Sequence, residues 1–146
     1  MKKIILLVVL ILILIAGGIG IYMWNKPKTT AKDVEPTFII TADSLASAFM
    51  KNDSIASKKY VNDKVALEIS GVIDSIFINE GNEHVIILKT NQEAPVACYF
   101  IPNQADNGNP SSFTKNTEVY VKGFCGGLNG DLFPEVQMTK CYIRKK

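Results

Sequence analysis

The sequence predicts a mainly β domain built as a small closed barrel, with a short helical segment and a transmembrane helix ahead of it. Three observations carry that expectation. The first is the run Val65 to Ile78, VALEISGVIDSIFI, in which Val65, Leu67 and Ile69 alternate in one phase, the phase breaks at Gly71, and Val72, Ile76 and Ile78 resume in the other. Side chains of an extended strand alternate between faces, so a strand that changes phase at a glycine is bent around a corner. The second is a series of further short alternating runs separated by turn residues. The third is the apolar stretch Ile4 to Met23, without a charge between Lys3 and Lys26.

That N-terminal stretch reads as a membrane segment. About 20 residues rising ~1.5 Å each span the hydrocarbon thickness of a bilayer. A cleaved signal peptide is the other reading, with Ala16-Gly17-Gly18 as its small residues, but the apolar run continues through Ile19, Ile21, Tyr22, Met23 and Trp24. An uncleaved anchor is favoured, with Tyr22 and Trp24 as interfacial aromatics. Lys2 and Lys3 argue for an inside N-terminus and an extracytoplasmic domain, whereas Lys26, Lys28 and Lys32 argue the other way. The expected organisation is an anchor over residues 1–24, a linker over 25–37 (NKPKTTAKDVEP and one residue more), and the folded domain over 38–146.

Within that domain a helix is expected to start at Thr41, a good N-cap, with Asp43 in the first turn and Ile40 set to pack on Leu45. Leu45, Ala48 and Phe49 then share one helical face, and Asn52 ends this helix or caps a second one carrying Ile55, Ala56, Lys59 and Tyr60. The bent strand closes at Asn79-Glu80-Gly81-Asn82. Strands follow over 84–90, 96–101, 117–125 and 133–143, with a polar connection over 102–116 and a glycine-rich turn, Gly126 to Asp131, between the last two. Five short strands, the first bent and with a long connection between the third and fourth, fit the OB-fold, a five-stranded Greek-key barrel.

The region from Leu45 to Ile143 resembles the small bacterial OB-fold proteins called tRNA-anticodon-like. The residues that carry the likeness are Asn52, Ala56, Lys59 and Tyr60, then Gly71, then Val96, Cys98 and Phe100, then Val121-Lys122-Gly123 with Gly126, and finally Val136 and Cys141. The resemblance implies an OB barrel behind an anchor or signal. It implies no activity and transfers no site residue, and the proline-broken segment after the third strand departs from the helix that plugs such barrels.

Charge separates the function classes. From Pro36 to Ile143 there are 8 basic residues against 12 acidic ones, so the domain is mildly acidic although the chain as a whole is +2. Single-strand-binding OB domains pair aromatic platforms with a basic groove, for which Tyr99 is the stacking candidate and Lys89 and Lys122 the phosphate contacts. The acidic balance argues against that function, because phosphate contacts dominate nucleic-acid affinity. No catalytic set is assembled. His84 is the single histidine, Asp74, Glu80 and Glu83 read as a solvated turn, and Gly126-Gly127-x-x-Gly130 lacks the lysine and hydroxyl residue of a phosphate loop.

No metal or cofactor is expected, since the nearest two of Cys98, Cys125 and Cys141 are 16 residues apart. All three cysteines read as small buried apolar residues, although Cys98 and Cys141 lie on strands that would be neighbours and could pair. The expected function is therefore a membrane-tethered, non-catalytic binding module for a protein, peptide or small envelope ligand. The alternative is single-stranded nucleic-acid or tRNA binding by a membrane-held OB domain.

Overall fold

Period-two alternation builds most of the ordered chain. A computed structural model describes residues 30–104 and 107–146, with residues 15, 17–19 and 22 of the N-terminal segment, which are helical. The expected membrane span otherwise lies outside the described residues, among which no helix is long and apolar enough to cross a membrane. The elements are β1 (Phe38–Thr41), α1 (Ala42–Lys51), α2 (Asp53–Tyr60), β2 (Ala66–Ile78), β3 (His84–Leu88), β4 (Val96–Tyr99), a 3-10 turn (Pro110–Ser112), β5 (Glu118–Asn129) and β6 (Glu135–Lys145).

The helical lead-in forms where its caps put it. Thr41 accepts the Ser44 backbone N–H at 3.1 Å, and Asn52 closes α1 while its side chain accepts the Ile55 N–H at 3.1 Å to open α2. Satisfying these otherwise orphaned amides is what a helix N-terminus needs. Leu45, Ala46 and Phe49 face the sheet and are fully buried, and Tyr60 of α2 joins them beside Phe38 with ring centroids 5.4 Å apart. These helices supply the apolar cover that the 102–116 connection, with only a 3-10 turn among its described residues, does not.

The five strands β2 to β6 pair in a circuit: β2 with β3, β3 with β4, β4 with β6, β6 with β5, and β5 back to β2. The pairing of β4 with β6 is parallel and the other four are antiparallel. The ring closes because β2 is long enough to serve two partners, β5 through residues 66–72 and β3 through residues 73–78.

The corner of β2 differs from its sequence reading. The inward phase Leu67, Ile69 continues through Gly71 to Ile73, which is fully buried, and Val72 points outward. The register shifts between Ile73 and Ser75, so Asp74 is the extra residue of the bulge and Ile76 is the first residue of the new inward phase. Gly71 has a different duty. A Cβ there would meet the Ala42 Cβ and the Leu88 Cδ1, each at 3.2 Å, so the missing side chain lets α1 and β3 close over the corner.

Two further expectations are corrected. β5 does not stop at Cys125: it runs through Gly126 and Gly127 to Asn129, with a bulge between Cys125 and Gly127 where Gly127 takes φ +98°. The turn is confined to the residues from Gly130 onward, which explains why glycines alone misplaced it. β1 was not anticipated at all. It adds to β2 in parallel, from Phe38 opposite Leu67 to Thr41 opposite Ser70.

Candidate ligand-binding site

On the face of β2, β3, β4 and β6 turned away from the ring's interior the side chains line up in two rows, with Val85 and Ala97 at their centres fully covered by their neighbours. One row is Phe77, Val85 and Tyr99, and the next is Ser75, Ile87, Ala97 and Gln137. At the β4–β6 side of this face a cleft of 690 Å³ opens, lined by Glu83, Tyr99, Phe100, Ile101, Gln137 and Lys140 among others. Volumes of this order hold a small ligand or one long side chain.

Its polar end is a built network. The Tyr99 hydroxyl donates to Glu135 Oε1 at 2.8 Å, and Gln137 Nε2 donates to the same oxygen at 2.9 Å. Across the cleft Asn79 fixes Glu83 from both sides, its amide donating to Glu83 Oε2 at 2.9 Å and its carbonyl oxygen accepting the Glu83 backbone N–H at 3.0 Å. The Tyr99 hydroxyl is pushed up to about 12, first by burial, then by the Glu135 hydrogen bond and by the charges of Glu135 and Glu83. Two carboxylates that disfavour a phenolate disfavour any other anion in the same place. The cleft places the Glu83 carboxylate and the Glu135-bound Tyr99 hydroxyl beside Ile101 and Pro102, with Lys140 at its rim.

Exposed apolar side chains flank the face at both ends. Phe77 and Ile78 stand at the end of β2, and Leu132 and Phe133, 87% and 88% exposed, form the tip of the β5–β6 turn. The tip lies beside Glu93, Pro95 and Glu135.

The three residues expected to bind ligand are not brought together. Tyr99 sits in the cleft. Lys89 is beyond the end of β3, donating to Asn116 Oδ1 at 2.9 Å and 4.0 Å from the bulge residue Asp74. Lys122 is on the outer face of β5, donating to the Lys32 carbonyl at 3.0 Å. Glu135 and Gln137 escaped the sequence reading. Their signal was the alternation of β6, which places both on the outward phase opposite Val136 and Met138.

His84 Nε2 lies 3.4 Å from Ser111 Oγ, and among the described residues no group of three or more potential ligands is placed to hold a metal ion. All three cysteines are free and buried. Burial raises the Cys125 thiol to about 11 and lifts the Cys141 thiol well above its ordinary value, the neighbouring Cys98 adding to the latter.

The model of the tRNA_anti-like family matches residues 1–136. The chain belongs to that family. The match begins at Met1 and so takes in the apolar segment as well as the region from Leu45 onward. Among solved structures, a Klebsiella pneumoniae protein described as a "putative nucleic acid-binding lipoprotein" is similar in fold, with a TM-score of 0.55 and 15% identity over 73% of this chain and 91% of that one. The Stn1–Ten1 complex of S. pombe gives a TM-score of 0.40 at 20% identity, over 56% of this chain and 59% of that one. An OBody bound to hen egg-white lysozyme gives 0.38 at 14% identity, over 56% and 83%. A comparison with curated protein sequences finds no match. The family and the Klebsiella structure together give an OB-like fold.

Proposed function

We propose that the chain is a non-catalytic binding module, an OB barrel held at a membrane by its N-terminal apolar segment with the domain on the outer side. Its cleft at Tyr99 receives a cationic side chain or amine presented by a protein or peptide. The observation that supports this reading is the Glu83 carboxylate in the cleft lining, with the cleft residues Tyr99 and Gln137 both hydrogen-bonded to a second carboxylate, Glu135. A lysine or arginine entering there would lay its methylenes on Ile101 and Pro102 and present its head to Glu83, with Glu135 beyond Tyr99 adding negative charge. The exposed Phe77 at one end of the face and Leu132 and Phe133 at the other would extend the contact along a peptide.

Single-stranded nucleic acid is the second reading. The aromatic pair Phe77 and Tyr99, in one row across β2, β3 and β4, favours it, as does the likeness to the Klebsiella protein described as nucleic acid-binding. The two carboxylates oppose it, since a phosphate would have to approach them.

One titration distinguishes the readings. The full chain in detergent micelles is titrated with lysine- or arginine-bearing peptides, with acidic peptides of matched length, and with single-stranded DNA and RNA at low salt. Basic peptides are expected to bind, and Glu135→Gln to weaken them about tenfold, the order for a lost hydrogen bond to a charged group. Micromolar binding of oligonucleotides that Tyr99→Ala abolishes would replace the peptide reading with the nucleic-acid one.

A further inference from the structure

We infer that the β5–β6 side of the ring lies against anionic lipid headgroups, so that the Tyr99 face is displayed away from the bilayer. The inference rests on the membrane-anchor reading and adds to it a fixed orientation. Its first support is how the chain enters the domain. Ala31 is fully buried and its N–H donates to the Lys140 carbonyl at 3.0 Å, Lys122 Nζ donates to the Lys32 carbonyl at 3.0 Å, and the Thr37 N–H donates to the Ala66 carbonyl at 2.7 Å. Residues 30–37 thus form a strap that starts on β6, crosses β5 and reaches β2. Six residue steps separate Thr30 from Trp24, and even fully extended they reach only about 20 Å. A domain of roughly 100 residues is wider than that, with a radius of gyration near ~13 Å. The side on which the strap docks therefore cannot swing far from the membrane surface, and β3, which pairs with neither β5 nor β6, points away from it.

The chemistry of that side is the second support. Its outward residues form two registered rows across four strands: Ile39, Glu68, Lys122 and Tyr142, then Thr41, Ser70, Tyr120 and Arg144. Across these rows Glu68 pairs with Arg144 at 3.1 Å, and beside them Glu118 pairs with Lys146. Lys122 adds a further positive charge, and the sequence of the entering chain carries Lys26, Lys28 and Lys32 against Asp33 and Glu35. The aromatics carry cations on their faces, Arg144 4.6 Å from the Tyr120 ring centre and Lys140 5.8 Å from that of Phe124. Tyrosines and basic residues with an exposed aliphatic, Ile39 at 69%, match the headgroup layer, where the aromatic rings and lysine stems of membrane proteins collect.

The test uses the full chain carrying a fluorophore on a cysteine introduced by Ile39→Cys, by Tyr142→Cys, or by Phe77→Cys on the far face. The native thiols are buried and are spared in the folded protein. Each labelled chain is reconstituted into phosphatidylcholine vesicles, with and without phosphatidylglycerol, that carry a nitroxide quencher on the headgroup. Probes at 39 and 142 are expected to be quenched several-fold more than the probe at 77 when phosphatidylglycerol is present. Replacing Lys122 with Gln should shift the apposed-to-free ratio about fivefold toward free, the effect of one basic residue at an anionic surface. Equal quenching at all three positions in a chain that floats with vesicles would overturn the orientation and leave the anchor standing. A chain that fails to float would remove the anchor and the orientation together. Shielding of the probe at 39 by single-stranded DNA, with no quenching by lipid, would assign this side to nucleic acid and overturn the inference.

Discussion

Tyr99 was legible as an outward aromatic from the alternation of β4, but its neighbours decide what it does. The partner that accepts its hydroxyl hydrogen bond, Glu135, is 36 residues away and meets it because β4 and β6 pair in parallel. Lys89 and Lys122 were picked by charge, and each is committed to a local partner on another side of the molecule, so residue type on a strand says little about which surface it joins. A pH titration tests the Tyr99 assignment. The folded hydroxyl, pushed up to about 12 by burial and then by Glu135, stands above the ordinary value of 10.0, so the stabilisation it brings is whole below pH 10 and is lost as pH rises through 12. Phenolate absorbance, assigned by difference against Tyr99→Phe, should show this group ionising near 12 and moving toward 10 in Glu135→Gln. A native midpoint at 10 would show that Glu135 does not hold the hydroxyl.

Elements were read correctly where local chemistry fixes them and misread where a distant strand does. Thr41 and Asn52 announce two helix starts because their side chains satisfy amides three residues on, whatever the tertiary context. β1 gave no signal, because four residues form a strand only when β2 offers an edge in parallel. The phase break of β2 fell at Asp74 and not at Gly71 because a bulge is defined by the partner's register, and β3 supplies that register only from Ile73 onward. The helix face Leu45, Ala48, Phe49 was legible and closes the apolar cluster over the ring. Phe49→Ala should therefore lower unfolding free energy by about 3–5 kcal/mol in urea, and Thr41→Ala by only about 1 kcal/mol. Comparable losses from the two changes would mean that α1 is held by its cap and not by its packing.

At the scale of the molecule, the ring and the strap are one structure. The polar, proline-bearing composition of residues 25–37 reads as a free tether, yet its second half is ordered: Thr30 and Ala31 are buried, and the strap lies across β6, β5 and β2 before β1 begins. The sequence hides this because the strap docks through its backbone. Ala31 uses its N–H and a methyl group, and Lys32 and Thr37 use a carbonyl and an amide, which any composition could supply. The ring therefore draws stability from residues outside its own strands. A chain beginning at Thr30 should unfold at a higher urea midpoint than one beginning at Pro36, by about 1–3 kcal/mol for the lost hydrogen bonds and the buried Ala31 side chain. The loss should appear with little change in the urea dependence, since few residues leave the folded surface. Equal midpoints would show that the strap rests on the ring without contributing to it, and the 20 Å reach from Trp24 would then lengthen as the strap peels away, freeing the barrel to turn.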